Sequence, residues 1–432
     1  MVAARSEGNV KVRHRYKLTT IKHLSAMHNL IVSALILLPA FAMGQLGFER
    51  YDAIPVTEEN GPLAYPWAGG INHAQFSNMD LNSDGILDLV VFDKSGDKLI
   101  TYLMDANGQL TLAPNYRKMF TNQHNTRGRL HDWAMLHDYN CDGKEDIFTI
   151  NNGGFAVYRN DADSDTLIFT LISSELRSDF HPNTPETGYL NIYVSPSDLP
   201  TVVDVDGDSD LDIITFSLTG YSAEYHQNMS MELYGHCDSL TYILNNACWG
   251  NFAEDVASVA VDLGITCDPP GAPTPDDLHQ TRNGARHSGF ALLGLDIEGD
   301  GDKDLLVSNV SFNNMNLLIN GESPDSANIT AQDPAFPQNH GGSNPINIYA
   351  FPAAFLADVN NDGLDDLIST GYQEGNTDNY RGTWLYTNTG TASAPLFSFT
   401  KRTFLQDGMI ELGTAAYPVF FDYDNDGLKD LL

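Results

Sequence analysis

The sequence of 432 residues predicts an all-β protein, a β-propeller built from four-stranded blades of about 60 residues each. Three observations lead to this prediction. One short acidic pattern recurs six times, its copies are about 60 residues apart, and short apolar runs typical of buried strands flank it. We expect six or seven blades, of which the last is incomplete at the C-terminal end.

The acidic pattern reads Asp-x-[Asn/Asp/Glu]-x-Asp-[Gly/Ser]-x-x-Asp-[Leu/Ile] in every copy. The first aspartates are separated by 58, 66, 92, 62 and 64 residues, which is far longer than the period of about nine residues in calcium β-rolls. We call the copies loops 1 to 6 and count positions from the first aspartate. They are DLNSDGILDL from Asp80, DYNCDGKEDI from Asp138, DVDGDSDLDI from Asp204, DIEGDGDKDL from Asp296, DVNNDGLDDL from Asp358 and DYDNDGLKDL from Asp422.

Short apolar segments flank these loops. FALLGL, AAFLA and YPVFF precede loops 4 to 6, and LVVF, IFTI, IITF and LLVS follow loops 1 to 4. Both faces of these segments are apolar, as in strands buried on both sides. Later in the first unit, Asn107-Gly108 separates two alternating runs, which is a hairpin signal. About four strands per unit indicate radial sheets packed around an axis. A stacked parallel β-helix is the alternative, but its coils are shorter.

Side-chain oxygens occupy positions 1, 3, 5 and 9 of all six loops, and a tight turn would bring them together. Position 6 is glycine, or Ser209 in loop 3, and position 7 is expected to add its backbone carbonyl. The EF-hand loop gathers oxygen ligands around a cation in the same way. The glutamate that closes the EF-hand at position 12 is replaced here, for example by Val91. Neighbouring carboxylates repel by about 1 kcal/mol per pair in water and by more near a protein surface. A divalent cation removes that repulsion, and the number of oxygens favours Ca²⁺ over Mg²⁺.

The sequence therefore predicts up to six Ca²⁺ sites, one in each loop. Loop 2, with Asn140 and Lys144, is expected to bind weakly, Ser209 to make loop 3 harder to bend, and Glu298 to place a longer arm in loop 4. The predicted ligands are Asp80, Asn82, Asp84 and Asp88; Asp138, Asn140, Asp142 and Asp146; Asp204, Asp206, Asp208 and Asp212; Asp296, Glu298, Asp300 and Asp304; Asp358, Asn360, Asp362 and Asp366; and Asp422, Asp424, Asp426 and Asp430.

The loop pattern and its spacing resemble the FG-GAP, or VCBS, repeats of integrin α-chain propellers and of secreted bacterial surface proteins. The resemblance covers nearly all of residues 45–432. It implies a calcium-bearing propeller, often seven-bladed, whose bacterial members mostly lack a known activity and commonly carry a C-terminal sorting domain. Because this chain stops directly after loop 6, we expect a natural C-terminal region to be missing. The alternative is that residues 45–79 supply the remaining strands of the last blade.

Residues 1–44 have the pattern of a secretory signal peptide, with Met27 as a candidate start. Six basic residues and one acid lie ahead of the apolar run LIVSALILLPAFAMG, which ends in small residues at Ala42 and Gly44. A transmembrane anchor is the alternative, but the run is too short, and no other apolar stretch is long enough to span a membrane. The remainder, with 17 basic and 56 acidic residues, carries a formal charge of −39. This charge argues against nucleic acid or anionic lipid as partners and favours cations.

The long interval between loops 3 and 4 holds an insertion at about residues 247–287. Within it, NFAEDVASVAVDLG is predicted as a short amphipathic helix and DPPGAPTPDD as a Pro-rich loop. Such insertions often carry binding specificity, while a decorative excursion pinned by one disulfide is the alternative. Cys237, Cys248 and Cys267 lie within 31 residues, so an exported protein is expected to form one bridge there, of undetermined pairing.

Two classes of function follow from this sequence. The first is a secreted or cell-surface, non-enzymatic binding, adhesion or scaffold module that displays itself to an extracellular protein or glycan. The alternative is a calcium-dependent polysaccharide lyase or hydrolase on the same scaffold. No HExxH, GxSxG or phosphate-binding glycine loop occurs, and no catalytic residue is predicted, which favours the first class. A deep pocket with a His or Tyr beside an acid outside the six loops would favour the enzyme.

Overall fold

The computed structural model divides the chain into two compact units, Leu63–Thr414 and a smaller one made of Met1–Pro62 with Ala415–Leu432. Strands are numbered in chain order. The smaller unit contains a hairpin of β2 with β3 and a three-stranded sheet in the order β1-β29-β28. Its strands are β1 (Ala3–Ala4), β2 (Thr57–Glu58), β3 (Gly61–Pro62), β28 (Phe420–Phe421) and β29 (Lys429–Leu431).

The structure describes residues 3–4, 52–59, 61–121, 130–162, 166–180, 188–217, 220, 222–254, 258–266, 289–321, 323–324, 326–373, 375, 378–413 and 416–432.

Blades 1 and 2 of the larger unit are antiparallel sheets in which each strand pairs with the next along the chain. An acidic loop joins the first strand to the second in each blade, and the predicted hairpin at Asn107-Gly108 joins the third to the fourth in blade 1. The strands are β4 (Ala74–Met79), β5 (Asp88–Asp93), β6 (Lys98–Met104) and β7 (Leu110–Leu112), then, after helix α1 (Arg117–Thr121), β8 (Ala134–His137), β9 (Asp146–Asn151), β10 (Gly154–Asn160) and β11 (Phe169–Ser173).

Blade 3 is a six-stranded sheet, because two strands of the connection from blade 2 extend it at its outer edge. One of these extra strands, β12, pairs in parallel with the fourth strand of the blade, β17. A short helix, α2, lies between the third and fourth strands. The elements are β12 (Arg177–Asp179), β13 (Tyr189–Asn191), β14 (Thr201–Val203), β15 (Asp212–Phe216), β16 (Ala223–Asn228), α2 (Ser230–Tyr234) and β17 (Tyr242–Asn246).

Blades 4 and 5 repeat the plain four-stranded pattern. A hairpin of two short strands, β18 and β19, comes between blade 3 and blade 4. The elements are β18 (Phe252–Glu254), β19 (Val261–Leu263), β20 (Phe290–Leu295), β21 (Asp304–Asn309), β22 (Asn316–Asn320), β23 (Ile329–Asp333), β24 (Pro352–Ala357), β25 (Asp366–Gly371), β26 (Thr383–Asn388) and β27 (Phe397–Lys401), with 3-10 turns at Gln338–His340 and Gln406–Gly408.

The predicted helix in NFAEDVASVAVDLG is wrong on the residues that the structure describes, since β18 and β19 fall within it. The hairpin is held to blade 4 by Gln332, whose side-chain amide accepts from the N–H of Val261 and donates to its carbonyl, both at 2.9 Å. Phe252 and Val261 fill the apolar space between blades 3 and 4. β-branched valines favour an extended backbone, and this packing outweighs the weak helical pattern. Residues 267–288 of the insertion lie outside the described residues.

The larger unit has five blades, so the prediction of six or seven is not confirmed. The ring closes between blade 5 and blade 1, where the side chain of Asn78 donates to the carbonyl of Asp358 and accepts from its N–H at 2.9 and 2.8 Å. Thr370 also donates to the carbonyl of Ala74 at 2.8 Å. Loop 6 lies in the smaller unit between β28 and β29, which pair with β1 in a sheet of three strands. Of residues 45–79, the candidate source of the missing strands, residues 74–79 form the first strand of blade 1.

The core follows the radial arrangement. One cluster draws buried side chains from all five blades, and three others fill the gaps between blades 1 and 2, blades 3 and 4, and blades 4 and 5. All six residues of β5, β21 and β25 are buried, which confirms the expectation that the inner strands are covered on both faces. Among the described residues, no helix has the length and hydropathy needed to span a bilayer.

One disulfide bridge pairs a cysteine of the expected group with one outside it. Cys237 pairs with Cys141, 96 residues earlier, and the two Cα atoms lie 5.9 Å apart. The bridge joins loop 2 of blade 2 to the segment after helix α2 in blade 3, because neighbouring blades bring residues together that the sequence separates. Cys248 is also disulfide-bonded, and Cys267 lies outside the described residues.

Candidate metal centres

All six acidic loops share one backbone turn with two residues in the left-handed region. Position 6 has φ between 82° and 94°, and position 4 has φ between 58° and 83°. In every loop the N–H of position 6 donates to Oδ2 of the aspartate at position 1, at 2.7–3.1 Å. The position-4 residues, which the sequence pattern left unassigned, are Ser83, Cys141, Gly207, Gly299, Asn361 and Asn425.

The aspartate at position 9 is buried in every loop, and it ties the loop to the sheet. Its Oδ2 accepts the N–H of position 2 in all six loops, at 2.7–3.3 Å. In the five blades its Oδ1 accepts the N–H of the last residue of the third strand, at 2.7–2.9 Å. We call this pair of hydrogen bonds the position-9 clamp. Its aspartates are Asp88, Asp146, Asp212, Asp304 and Asp366, and the third-strand donors are Met104, Asn160, Asn228, Asn320 and Asn388.

In four of the five blades, the residue that donates to the clamp from the third strand is a buried asparagine. Its side chain continues the network: Oδ1 of Asn160, Asn320 and Asn388 accepts the N–H of a residue in the following turn at 2.8–3.0 Å. The sequence carries a signal for this arrangement, because the third-strand segments FAVYRN, MNLLIN and TWLYTN all end in asparagine. The pattern analysis assigned position 9 to the metal alone, and the structure adds this role within the protein.

Burial raises the pKa of the clamp carboxyls, and neighbouring loop aspartates raise it further, while the two backbone N–H donors oppose the shift. The pKa is raised to about 6 for Asp88 and Asp366, to about 7 for Asp146 and Asp304, and to about 8 for Asp212. These carboxylates are therefore costly to ionise without a nearby positive charge.

The predicted ligands converge to different degrees. Groups of three carboxylate oxygens within 4.8 Å of one another occur, among the described residues, in loop 3 and loop 6, at positions 1, 3 and 9 in both. They are Asp204, Asp206 and Asp212, and Asp422, Asp424 and Asp430. Loops 1, 2 and 5 have asparagine at position 3 and so present fewer carboxylates. Loop 4, with Glu298 at that position, forms no such group among the described residues.

Several buried carboxylate oxygens have no partner among the described residues, including Oδ2 of Asp208, Oδ1 of Asp210, Oδ1 of Asp302 and Oδ1 of Asp422. An unpaired buried oxygen of this kind is costly and is what a bound cation satisfies. The donor set is entirely oxygen, which suits a hard divalent cation such as Ca²⁺. The residues present therefore fit the predicted ion, most clearly in loops 3 and 6.

Sequence reasoning missed two carboxylates at position 7, where it expected a backbone carbonyl. Asp210 in loop 3 and Asp302 in loop 4 are both buried. It also missed Glu232, on helix α2, which forms a further group of three with Asp206 and Asp208. The signal for the first two was present, since loops 3 and 4 alone have aspartate at position 7. Nothing in the spacing of Glu232 connects it with a loop more than twenty residues away.

A cavity of about 510 Å³ lies on the propeller axis beside the loops. The first strands of all five blades line it, together with the position-8 side chain of each loop in the larger unit. His137 also lines it, and burial lowers the pKa of this imidazole to about 4, so it is neutral at neutral pH. The position-8 residues are Leu87, Glu145, Leu211, Lys303 and Asp365.

The five radial sheets define a β-propeller, and each of its blades carries one acidic loop. The profile of the FG-GAP-like repeat family matches residues 358–432, which include loop 5, the last three strands of blade 5 and loop 6. The family resemblance inferred from the loops is thus confirmed over residues 358–432, in a chain whose larger unit is a β-propeller. No curated protein matches the chain.

Several solved structures show a distant likeness to this chain, and three of them are compared with it by sequence identity, TM-score and coverage. A lectin of Agrocybe aegerita, described as recognising non-reducing terminal N-acetylglucosamine, is 17% identical, with a TM-score of 0.31 and coverage of 84% of this chain and 74% of the lectin. The TcdB2-TccC3-Cdc42 complex is 13% identical, with a TM-score of 0.34, and the match covers 77% of this chain and 15% of that one. NanB is 9% identical, with a TM-score of 0.27 and coverage of 79% and 53%. Likenesses this distant carry no inference about ligands or activity.

The position-9 clamp predicts a stability effect that does not depend on metal. In Asp366→Asn an amide NH₂ must face one of the two backbone N–H groups, so we expect the free energy of unfolding to fall by about 1–3 kcal/mol, in chelator as well as in Ca²⁺. Urea unfolding of the full chain measures it. The control is Asp362→Asn, exposed in the same loop, which should leave the stability in chelator nearly unchanged. Equal stability of Asp366→Asn and wild type in chelator would contradict the clamp.

The turn predicts opposite effects for two exchanges at position 6. Ser209 holds φ at 83°, which L residues rarely adopt, so Ser209→Gly should stabilise the protein by about 1 kcal/mol. Gly143→Ser should destabilise it by a similar amount, since Gly143 has the same φ and open space around an added Cβ. Denaturation midpoints compare the two variants with wild type. Shifts in the same direction would show that backbone strain is not the cause.

Proposed function

We propose that this protein is an exported calcium-binding β-propeller that acts as a non-enzymatic binding or adhesion module at the cell surface. The observation that carries the proposal is the convergence of three carboxylates in loop 3 and in loop 6, on a backbone turn that all six loops share. Positions 1, 3, 5 and 9 of the loops would hold the ion. When bound, Ca²⁺ supplies positive charge to carboxylates that otherwise repel one another.

The charge of the whole chain supports this proposal. Without residues 1–44 the chain carries a formal charge of −39, and 24 of its side chains lie at predicted ligand positions of the loops. A surface this acidic is poorly suited to nucleic acid or anionic lipid. It suits a compartment where millimolar divalent cation is present, which agrees with the signal-peptide pattern at the N-terminus.

The axial cavity supports a binding role. Its volume of about 510 Å³ falls in the range of small-ligand pockets, about 300–1,000 Å³. Its wall is largely apolar, and the position-8 residues of the five loops surround it. Among these, Glu145, Lys303 and Asp365 place charges of both signs around the cavity. A protein segment or a glycan end that offers both an apolar face and polar groups fits such a lining. Because the loops build the ring, calcium would hold the shape of the binding surface.

The enzyme alternative is a calcium-dependent polysaccharide lyase or hydrolase. His137 lines the cavity, but the acids that share this lining, Asp138, Glu145, Asp204 and Asp365, all lie in the acidic loops. The lining therefore lacks the pairing of a His or Tyr with an acid outside the loops that would favour this alternative. Depolymerisation assays on acidic and neutral polysaccharides in Ca²⁺ discriminate the two classes.

Calcium removal provides the first test. We expect excess chelator to lower the melting temperature, because each site at 100 times its dissociation constant contributes about 2.7 kcal/mol of stability. Differential scanning calorimetry of the full chain in Ca²⁺, in chelator and in Mg²⁺ at matched ionic strength measures this. Mg²⁺ should restore less stability than Ca²⁺. A melting temperature unaffected by chelator would contradict the calcium sites.

Ligand binding at the cavity provides the second test. Leu87 lines the cavity, and Leu87→Trp would place a large ring there. We expect this variant to lose binding, on arrays, to whichever glycan or extracellular protein the wild type binds. The control is Leu364→Trp, an added ring at position 7 of loop 5, whose residue does not line the cavity. We expect the control to bind as the wild type does. Equal binding by both variants would place the ligand site elsewhere.

A further inference from the structure

Beside loop 3 lies a second group of carboxylates that the repeated loop pattern does not contain. Asp206 and Asp208 of loop 3 and Glu232 of helix α2 each offer an oxygen, and the three oxygens lie within 4.8 Å of one another. Asp206 also belongs to the group of Asp204 and Asp212 within the loop. The two groups thus share one carboxylate, and a shared carboxylate can bridge two neighbouring cations.

Buried Asp210 is an independent sign of a ligand at this place. Its side chain is fully buried, and its Oδ2 accepts the N–H of Met231 at 3.0 Å, so the carboxylate faces the turn of α2 that carries Glu232. Among the described residues, Oδ1 of Asp210 has no hydrogen-bond partner, and neither does the buried Oδ2 of Asp208. A buried carboxylate oxygen without a donor is strongly unfavourable unless a positive charge satisfies it.

The charges around Asp210 all have the same sign. Burial, and then the neighbouring carboxylates of Asp208, Glu232 and Asp206, raise the pKa of Asp210 to about 7. In the described part of the chain, none of these four carboxylates takes part in an ion pair. The donor between Asp206 and Glu232 is neutral: the amide Nε2 of Gln227 lies 2.7 Å from the first and 2.6 Å from the second.

The segment that carries Glu232 is fixed to the blade on both sides. Before it, Asn228 belongs to the position-9 clamp, and Ser230 exchanges hydrogen bonds with the backbone of Ser239 at 2.9 and 3.1 Å. After it, Cys237 is bridged to Cys141, whose Sγ lies 3.6 Å from the carbonyl oxygen of Ser209. Because a disulfide sulfur carries no proton, this last approach is a packing contact. Glu232 is therefore held near loop 3 without a charge partner.

We propose that blade 3 binds a second hard divalent cation, Ca²⁺, between Asp206, Asp208 and Glu232, with Asp210 beneath it. This cation lies next to the one expected in loop 3 and shares Asp206 with it, so the inference rests on the proposed calcium function. Oxygen-only donors from several carboxylates favour Ca²⁺. Loops 1, 2 and 5 have Ile86, Lys144 and Leu364 at position 7. Loop 4 has Asp302 at this position, but among the described residues no group of three carboxylates includes it. Blade 3 would thus be the blade with paired ions.

The number of bound ions tests this proposal. Native mass spectrometry of the full chain at saturating Ca²⁺ should show one ion fewer in Glu232→Gln than in wild type. The control is Glu175→Gln, the same exchange at an exposed surface ion pair with Arg177, which should keep the wild-type number. Glu232 is itself exposed, so the variant should fold, and near-ultraviolet circular dichroism checks this.

A second measurement reports on the site directly. Tb³⁺ bound near blade 3 is sensitised by tyrosine, and the hydroxyl of Tyr225 donates to Asp212 at 3.2 Å. We expect Glu232→Gln to lose one step of the Tb³⁺ titration and to keep the others. Equal ion numbers and equal titrations in Glu232→Gln, Glu175→Gln and wild type would overturn the second cation while leaving the six loops intact. Absence of bound Ca²⁺ in all three proteins would overturn both the second cation and the proposed function.

Discussion

The position-9 carboxylate is the interaction on which each blade depends. It accepts one N–H from its own loop and one from the end of the third strand, and so it fixes the corner where three parts of the blade meet. Without these hydrogen bonds two buried backbone N–H groups in each blade would be unpaired. The carboxylate that performs this role is also the one whose ionisation burial makes most costly. The buried charge that fixes the blade is therefore also the one that the proposed cation would neutralise.

Repetition of this corner explains how the blades can differ elsewhere. Blade 3 adds two strands, a helix and a disulfide, and a hairpin follows it, while its clamp from Asp212 to Asn228 has the same geometry as the others. The loop and the end of the third strand are fixed in each blade, so the added elements lie between the third strand of one blade and the loop of the next. The acidic carboxylate of Glu232 enters through one such insertion. An acidic side chain can thus be added beside a loop without disturbing the corner that positions the sheet.

The sequence predicted those elements whose physical signal lies within a few neighbouring residues. Apolar runs on both sides of an acidic turn predicted the inner strands, and Asn107-Gly108 predicted the hairpin of blade 1. Blade number was not predictable, because it depends on how far each sheet rotates from the next, which no short pattern encodes. The bridge from Cys141 to Cys237 and the approach of Glu232 to Asp206 depend on the same long-range packing. The helix expected after Asn251 failed because the contact of Val261 with Gln332 in another blade outweighs a weak local preference.

The closure between blades 1 and 5 differs in kind from the connection between blades 2 and 3. The first uses hydrogen bonds of Asn78 and Thr370 with backbone groups of the opposite blade, while the second includes a covalent bridge. A pulling force that separates the first blade from the last would act on the non-covalent seam, and the sheets could then peel away in turn from that point. The bridged pair would resist as one body, because the chain between Cys141 and Cys237 cannot lengthen beyond its covalent loop. The propeller thus has a mechanically weak side and a mechanically strong one.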